Sequence, residues 1–144
     1  VSTMQTGYPL QVYMNNNGNG ALGTSRQRPN ATGVSPSVEA GFVERIDGWI
    51  NKAAFSNAAP FTMGNVTRTI SMRGPGQVNW DISVFKTAQV MESLKVQFRA
   101  EALNAMNTPL FRGPNTAFGN AAFGRITSQA NFPRMLQLGL RLYF

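Results

Sequence analysis

Arg134-Met135-Leu136-Gln137-Leu138-Gly139-Leu140-Arg141-Leu142-Tyr143-Phe144 is the stretch whose reading decides the fold. Leu136, Leu138, Leu140, Leu142 and Phe144 fall on one side of an extended chain. Met135, Gln137, Gly139, Arg141 and Tyr143 fall on the other. The apolar period is 2, which a helix cannot satisfy. A strand that crosses a membrane needs about 9–11 tilted residues, with one apolar face and one mixed face. This stretch has that length and that pattern. A half-buried strand of a soluble sandwich alternates in the same way, so periodicity alone leaves both readings open.

Two further stretches repeat the pattern. Over Gln77 to Lys86, Val78, Trp80, Ile82 and Val84 share a face, with Asn79, Asp81, Ser83 and Phe85 opposite. Over Leu94 to Leu103, Leu94, Val96, Phe98, Ala100 and Ala102 alternate with Lys95, Gln97, Arg99 and Glu101. A fourth, weaker strand is expected near residues 7–14, where Pro9 marks an edge, a bulge or the strand's exit because it cannot donate to a ladder.

Composition bears on the choice. Charged residues make up only 13% of the 144, against 42% hydrophobic. That is about half the charge of an ordinary soluble domain, and it fits an exterior that faces lipid. No apolar run is long enough for a transmembrane helix, which leaves a barrel possible. The net charge is +7, but Lys and Arg are scattered singly rather than clustered, which argues against a nucleic-acid footprint. Cys and His are both absent. No disulfide framework, thiolate metal site or imidazole acid-base group is therefore available. The chain opens at Val1 without an initiator Met or signal peptide, and is expected to belong to something longer.

Between the strands lie long segments rich in Asn, Gly, Ser and Pro, expected as loops over residues 15–76 and 104–133. Within the first, Phe42, Ile46, Trp49 and Ile50 recur at helical offsets, which predicts a short helical turn. Trp49 and Phe55 are expected to pin that loop. The second holds a local echo, Ala117-Phe118-Gly119-Asn120 and Ala122-Phe123-Gly124-Arg125, too short for a repeat architecture. The connection Thr87 to Ser93 is short. Connections thus alternate long, short, long, the asymmetry of an outer-membrane barrel with long outer loops and short periplasmic turns. On this reading Trp80 lies near the outer interface, and Tyr143 and Phe144 near the inner one.

The expected register pairs Trp80 with Ala100, Ile82 with Phe98 and Val84 with Val96. On the next ladder it pairs Phe98 with Leu140 and Val96 with Leu142. It sets Asp81 beside Arg99 as a lumen-facing ion pair, with Gly139 opposite leaving room. The lipid-facing set is then Val78, Trp80, Ile82, Val84, Leu94, Val96, Phe98, Leu136, Leu138, Leu140, Leu142 and Phe144. The lumen-facing set is Asp81, Lys95, Gln97, Arg99, Glu101, Gln137 and Arg141.

Catalytic signals are weak. Glu44 and Asp47 lie three apart without further ligands, and Asp81 with Glu101 is what a polar lumen supplies anyway. The Gly-rich Gly119 to Arg125 lacks the Lys and the strand-to-helix setting of a phosphate loop. No enzyme activity, cofactor or metal is expected. Arg68, Arg73, Arg112 and Arg125 sit among glycines, where they either meet anionic groups or hold loops through backbone carbonyls; the second is the commoner use.

Several motifs together carry a resemblance. Arg73-Gly74-Pro75-Gly76, then Val78-Asn79-Trp80-Asp81-Ile82-Ser83-Val84-Phe85-Lys86, Gln97-Phe98-Arg99-Ala100-Glu101-Ala102, Asn104-Ala105-Met106-Asn107 and Phe123-Gly124-Arg125-Ile126-Thr127-Ser128 lead into Leu136 to Phe144. In that order they resemble the last barrel strands of TonB-dependent outer-membrane receptors, closest to the Oar-like branch of acidobacterial genomes. The resemblance implies an all-β chain: an antiparallel transmembrane β-barrel fragment of about four strands out of about 22 around a plugged lumen. It also implies a bacterial outer-membrane location and energy-coupled uptake of a bulky ligand. The implied partners are outer-membrane lipid, the rest of the barrel with its plug domain, the TonB energy-coupling complex, and the barrel-assembly machinery through Phe144. The alternative is a soluble or cell-surface β-domain acting as a binding module. The residues do not name the ligand.

Overall fold

The structure, a computed structural model, describes residues 1–16, 18 and 26–144. Positions 17 and 19–25 of the expected first loop lie outside the described residues. The strands are β1 (Ser2–Gln5), β2 (Tyr13–Met14), β3 (Asn30–Ala31), β4 (Phe55–Ser56), β5 (Gln77–Trp80), β6 (Ile82–Met91), β7 (Leu94–Leu103), β8 (Ala117–Phe118) and β9 (Met135–Tyr143). A single helical turn, α1 (Phe42–Arg45), and a 3-10 turn at Lys52–Ala54 interrupt them. The chain divides into two compact units. One comprises residues 1–5, 76–110 and 129–144; the other comprises residues 6–75 and 111–128.

The first unit holds two open antiparallel sheets. β6, β7 and β9 lie side by side in that order, and β1 pairs with β5. β5 and β6 are one strand broken only at Asp81. The alternating apolar residues make these strands for the reason read from the sequence: a pleated chain sends neighbours to opposite faces, one mainly apolar and one mainly polar. Both long excursions leave the sheet at one end, between Gln5 and Gln77 and between Leu103 and Met135. The tight turn at Glu92 and Ser93 closes the other end.

Three expectations are corrected here. The strand near 7–14 is not formed as such. Ser2–Gln5 pairs with β5 instead, and only Tyr13–Met14 of the expected span is strand. β6 does not stop at Lys86. It runs through Thr87 to Met91, because those residues also keep β geometry up to a two-residue turn. As a result the β6–β7 register is Ile82 with Ala102, Val84 with Ala100, Lys86 with Phe98 and Ala88 with Val96. That is four residues further along β7 than expected. On the other side of β7 the pairs Phe98–Leu140, Val96–Leu142 and Arg99–Gly139 occur as expected.

The second unit shows that the two long loops are folded rather than merely connecting. Leu10, Val12, Trp49, Ile50, Phe55, Val66, Phe118, Phe123 and Ile126 are buried together in its core. Phe55, Phe118 and Phe123 form a triangle with ring centroids 5.4–6.0 Å apart, tilted or edge-on, the arrangement that suits ring quadrupoles. The echo in the sequence has a geometric meaning. Gly119 and Gly124 both take positive φ, 94° and 79°, and in each copy the chain turns back three residues (Asn120 N to Ala117 O, Arg125 N to Ala122 O). Each copy is one tight turn that delivers a phenylalanine to the core. Trp49 caps the set, its indole N–H donating to Arg73 O at 2.9 Å. The expected pinning by Trp49 and Phe55 thus takes place inside this unit.

Candidate functional site

The candidate site is the sheet itself, whose two faces differ in chemistry. One face carries Ile82, Val84 and Ala88 on β6, Val96, Phe98, Ala100 and Ala102 on β7, and Leu136, Leu138, Leu140 and Leu142 on β9. These meet row by row: Val84–Ala100–Leu138, then Ala88–Val96–Leu142. The row is uncovered, and Leu138 is 72% exposed. A contiguous bare apolar surface of this kind is uncommon on a protein bathed in water.

Lys86 interrupts that face. It stands between Val84 and Ala88 and is opposite Phe98, which in turn faces Leu140. The side chain is exposed and makes no hydrogen bond or ion pair with the described residues. In the sequence Lys86 reads as the end of a strand; only the extension of β6 to Met91 puts it inside the apolar row.

The opposite face is polar and internally bonded. Arg99 pairs with Glu101 at 2.8 Å. The Ser83 hydroxyl donates to Glu101, Gln97 Nε2 donates to the Thr87 hydroxyl at 3.1 Å, and the Tyr143 hydroxyl donates to Gln97 Oε1 at 3.4 Å. Arg141 donates to the Tyr143 oxygen. Gly139 opens a shallow groove of about 210 Å³ bordered by Gln97, Arg99, Glu101, Gln137 and Arg141. A side chain at Gly139 would meet Arg99 Cβ at 3.9 Å, ordinary contact. The gap is therefore space on the face, not a steric requirement.

The expected Asp81–Arg99 ion pair is not formed. The shifted register puts Phe85, not Asp81, opposite Arg99, and Arg99 turns along its own strand to Glu101. Asp81 instead anchors the end of β7. Its Oδ1 accepts from the Asn104 N–H at 2.9 Å and from Asn79 Nδ2 at 3.0 Å.

Asn104 is the centre of a knot that sequence reasoning passed over. It is buried and takes φ of 50°, a left-handed conformation that asparagine tolerates better than most residues. Its side chain accepts from Thr108 N and donates to the Thr108 and Phe132 carbonyls. Asn131 ties Leu110 N and Thr108 O, and Asn107 accepts from Arg134 N. The spacing Asn104-Ala105-Met106-Asn107 was the available signal: two asparagines three apart, just after a strand, mark a built turn. Among the described residues no group of three or more His, Cys, Asp or Glu is placed to hold a metal.

A sheet bare and apolar on one face, polar and self-bonded on the other, with long excursions at one end and a tight turn at the other, is the wall of an outer-membrane β-barrel. The sequence comparison agrees. The family described as "Outer membrane beta barrel domain" matches residues 1–137, and this chain belongs to it. No curated protein and no solved structure matches. The family places the protein in the bacterial outer membrane, in contact with its lipid, and settles the choice left open by the alternation alone. Among the described residues the strands form an open wall and do not close a barrel.

Proposed function

We propose that this chain supplies part of the wall of a TonB-dependent receptor of the Oar-like kind, a barrel that takes up a bulky ligand across the outer membrane by energy coupling. The observation that supports it most is the pairing of an outward row that is apolar but for Lys86 with a polar face held together by its own ion pair and hydrogen bonds. Leu94, Val96, Phe98, Leu136, Leu138, Leu140, Leu142 and Phe144, with Val78, Trp80, Ile82 and Val84, face acyl chains. Lys95, Gln97, Arg99, Glu101, Gln137 and Arg141, with Asp81 at the strand break, face the lumen. The turn at Glu92 and Ser93 is periplasmic, and the long connections are extracellular loops. In a receptor of this kind the lumen face meets a plug domain. Phe144 presents the terminal aromatic to the barrel-assembly machinery, and no reaction is catalysed.

This chain has no cysteine, so in a full-length protein with any cysteine elsewhere replaced, single cysteines report without background. In the full-length protein, Gln137→Cys crosslinks to the plug of the same polypeptide, and the protein is retained by the immobilised periplasmic domain of TonB. Free reaction of Gln137→Cys with a large water-soluble maleimide, together with no retention on TonB, would mark an open pore and sink the receptor reading. Leu138→Cys reacts only with a lipid-soluble reagent if the outward assignment is right.

A further inference from the structure

The positive charge of this chain is unevenly placed. The second unit holds eight of the 13 basic residues but only three acidic ones, Glu39, Glu44 and Asp47. Several of its cations are already occupied: Arg125 with Asp47 at 3.0 Å, Arg73 with Gly7 O at 2.9 Å, and Arg45 over the Trp49 ring. Three others meet in one place. Arg26, Arg28 and Arg68 line a cleft of about 270 Å³ together with Tyr13, Gln27 and Met63, and among the described residues no carboxylate lines it.

The cleft is built by the backbone. The chain at Met14 donates to Gln27 O at 2.8 Å, and Val66 N donates to Pro29 O at 3.2 Å. Gly64 lies so close to the Arg28 and Pro29 carbonyls that any side chain there would collide with them. Gln27 is buried, and its amide clasps Ala59 O and Thr62 O while accepting from Gly18 N. Three chain segments are thereby fixed against one another, and each brings a side chain to the cleft. Arg28 spends one nitrogen on Val66 O at 2.8 Å. Arg26 lies 4.5 Å above the Tyr13 ring centroid. Arg68 is exposed and has no hydrogen bond or ion pair among the described residues. Like charges gathered on a fixed frame repel unless a counter-charge joins them.

We propose that this cleft binds the phosphate group of an amphipathic ligand. Guanidinium forks match phosphate oxygens in pairs, and a phosphate monoester offers three such oxygens where a carboxylate offers two. Met63 and the Tyr13 ring supply an apolar flank for the rest of the ligand. The phosphate belongs either to lipopolysaccharide of the surrounding leaflet or to a free phosphorylated solute. The inference does not depend on energy coupling.

The test is titration of the full-length protein in detergent with sodium pyrophosphate, at ionic strength held constant with sodium chloride, followed by calorimetry. Saturable binding is expected, weakened at least tenfold in Arg68→Gln and in Arg26→Gln. It is unchanged in Arg112→Gln, which alters an exposed arginine outside the cleft. Arg68→Lys keeps the charge without the fork and binds at a level between the wild type and Arg68→Gln, which guards against loss of fold in the glutamine variants. Displacement of pyrophosphate by lipopolysaccharide but not by its dephosphorylated form assigns the leaflet as the source; no displacement assigns a free solute. No saturable binding overturns the proposal. So does equal binding in Arg68→Gln and Arg26→Gln, or an equal loss in Arg112→Gln.

Discussion

Replacing Leu138 by arginine separates the two faces of the sheet most cleanly. Leu138 is 72% exposed, and its row neighbours Ala100 and Val84 are apolar. Its depth follows from strand geometry. Ten residues separate Trp80 from Val90, about 34 Å along the strand, or about 26 Å along the membrane normal at a tilt of about 40°. An outer-membrane apolar band is about 25 Å tall, so the row from Trp80 to Val90 fills it. Val84 then lies about 3 Å from the middle, and Leu138, two strands across and displaced about 3 Å per strand by the tilt, lies within about 9 Å of it, inside the band. Arginine there costs about 1–4 kcal/mol, a change of roughly 5- to 1,000-fold in the folding equilibrium. Gln137→Arg, one residue away on the polar face, meets Glu101 across the ladder and costs less than about 1 kcal/mol. The assay is reversible urea unfolding of the full-length protein in phospholipid vesicles, read by tryptophan fluorescence and by heat-modifiable migration. A cost below about 0.5 kcal/mol for Leu138→Arg, with a larger cost for Gln137→Arg, would reverse the faces and refute the outward assignment.

Three further outcomes follow from the same geometry. Lys86→Leu removes a cation from the apolar row and stabilises the inserted protein by about 1–2 kcal/mol in the same titration, less than a full midplane charge because a lysine stem lets the ammonium reach toward the interface. Asp81 anchors the β7 end by accepting from the Asn104 N–H and from Asn79 Nδ2. Asp81→Ala removes that acceptor and costs about 1–3 kcal/mol, read as faster hydrogen exchange of the Asn104 amide. Phe118→Ala empties one corner of the aromatic triangle in the second unit and costs about 3–5 kcal/mol, seen as faster proteolysis within residues 6–75 and 111–128, with the β6–β7–β9 sheet still protected.

The wall strands were legible because a pleated chain converts order along the sequence into sides of a sheet. Leu136 to Phe144 alternates without a fault, and nothing but the pleat is needed to read it. The core of the second unit was not legible in that way. Leu10, Trp49, Val66 and Phe118 are far apart in sequence and belong to no regular element long enough to show a period. They meet through turns made by Gly119 and Gly124 and through single carbonyl bonds such as Trp49 to Arg73. The repeated Ala-Phe-Gly was the trace of this core, but its meaning needs the positive φ values. Arginine use was half legible. Arg73 holds Gly7 O, as the commoner use of such side chains suggests, and Arg125 found Asp47. The convergence of Arg26, Arg28 and Arg68 depends on folding distant segments together.

The misplaced ladder explains why some assignments survived and one did not. The expected β6–β7 pairing was wrong by four residues, an even number. An even slip moves a strand along its neighbour without turning it over, so every side chain keeps its face. Ile82 and Val84 therefore remain with Phe98 and Leu140 on one side, and Arg99 with Glu101 on the other. A specific cross-strand contact has no such protection. It needs the right neighbour as well as the right side, and the same slip carried Asp81 past Arg99 to the turn at Asn104. In a sheet read from sequence, the faces are thus robust to the length assumed for a turn, while ion pairs are only as secure as the turn itself. Two residues at Glu92 and Ser93, instead of the seven from Thr87 to Ser93, were enough to move one and leave the other.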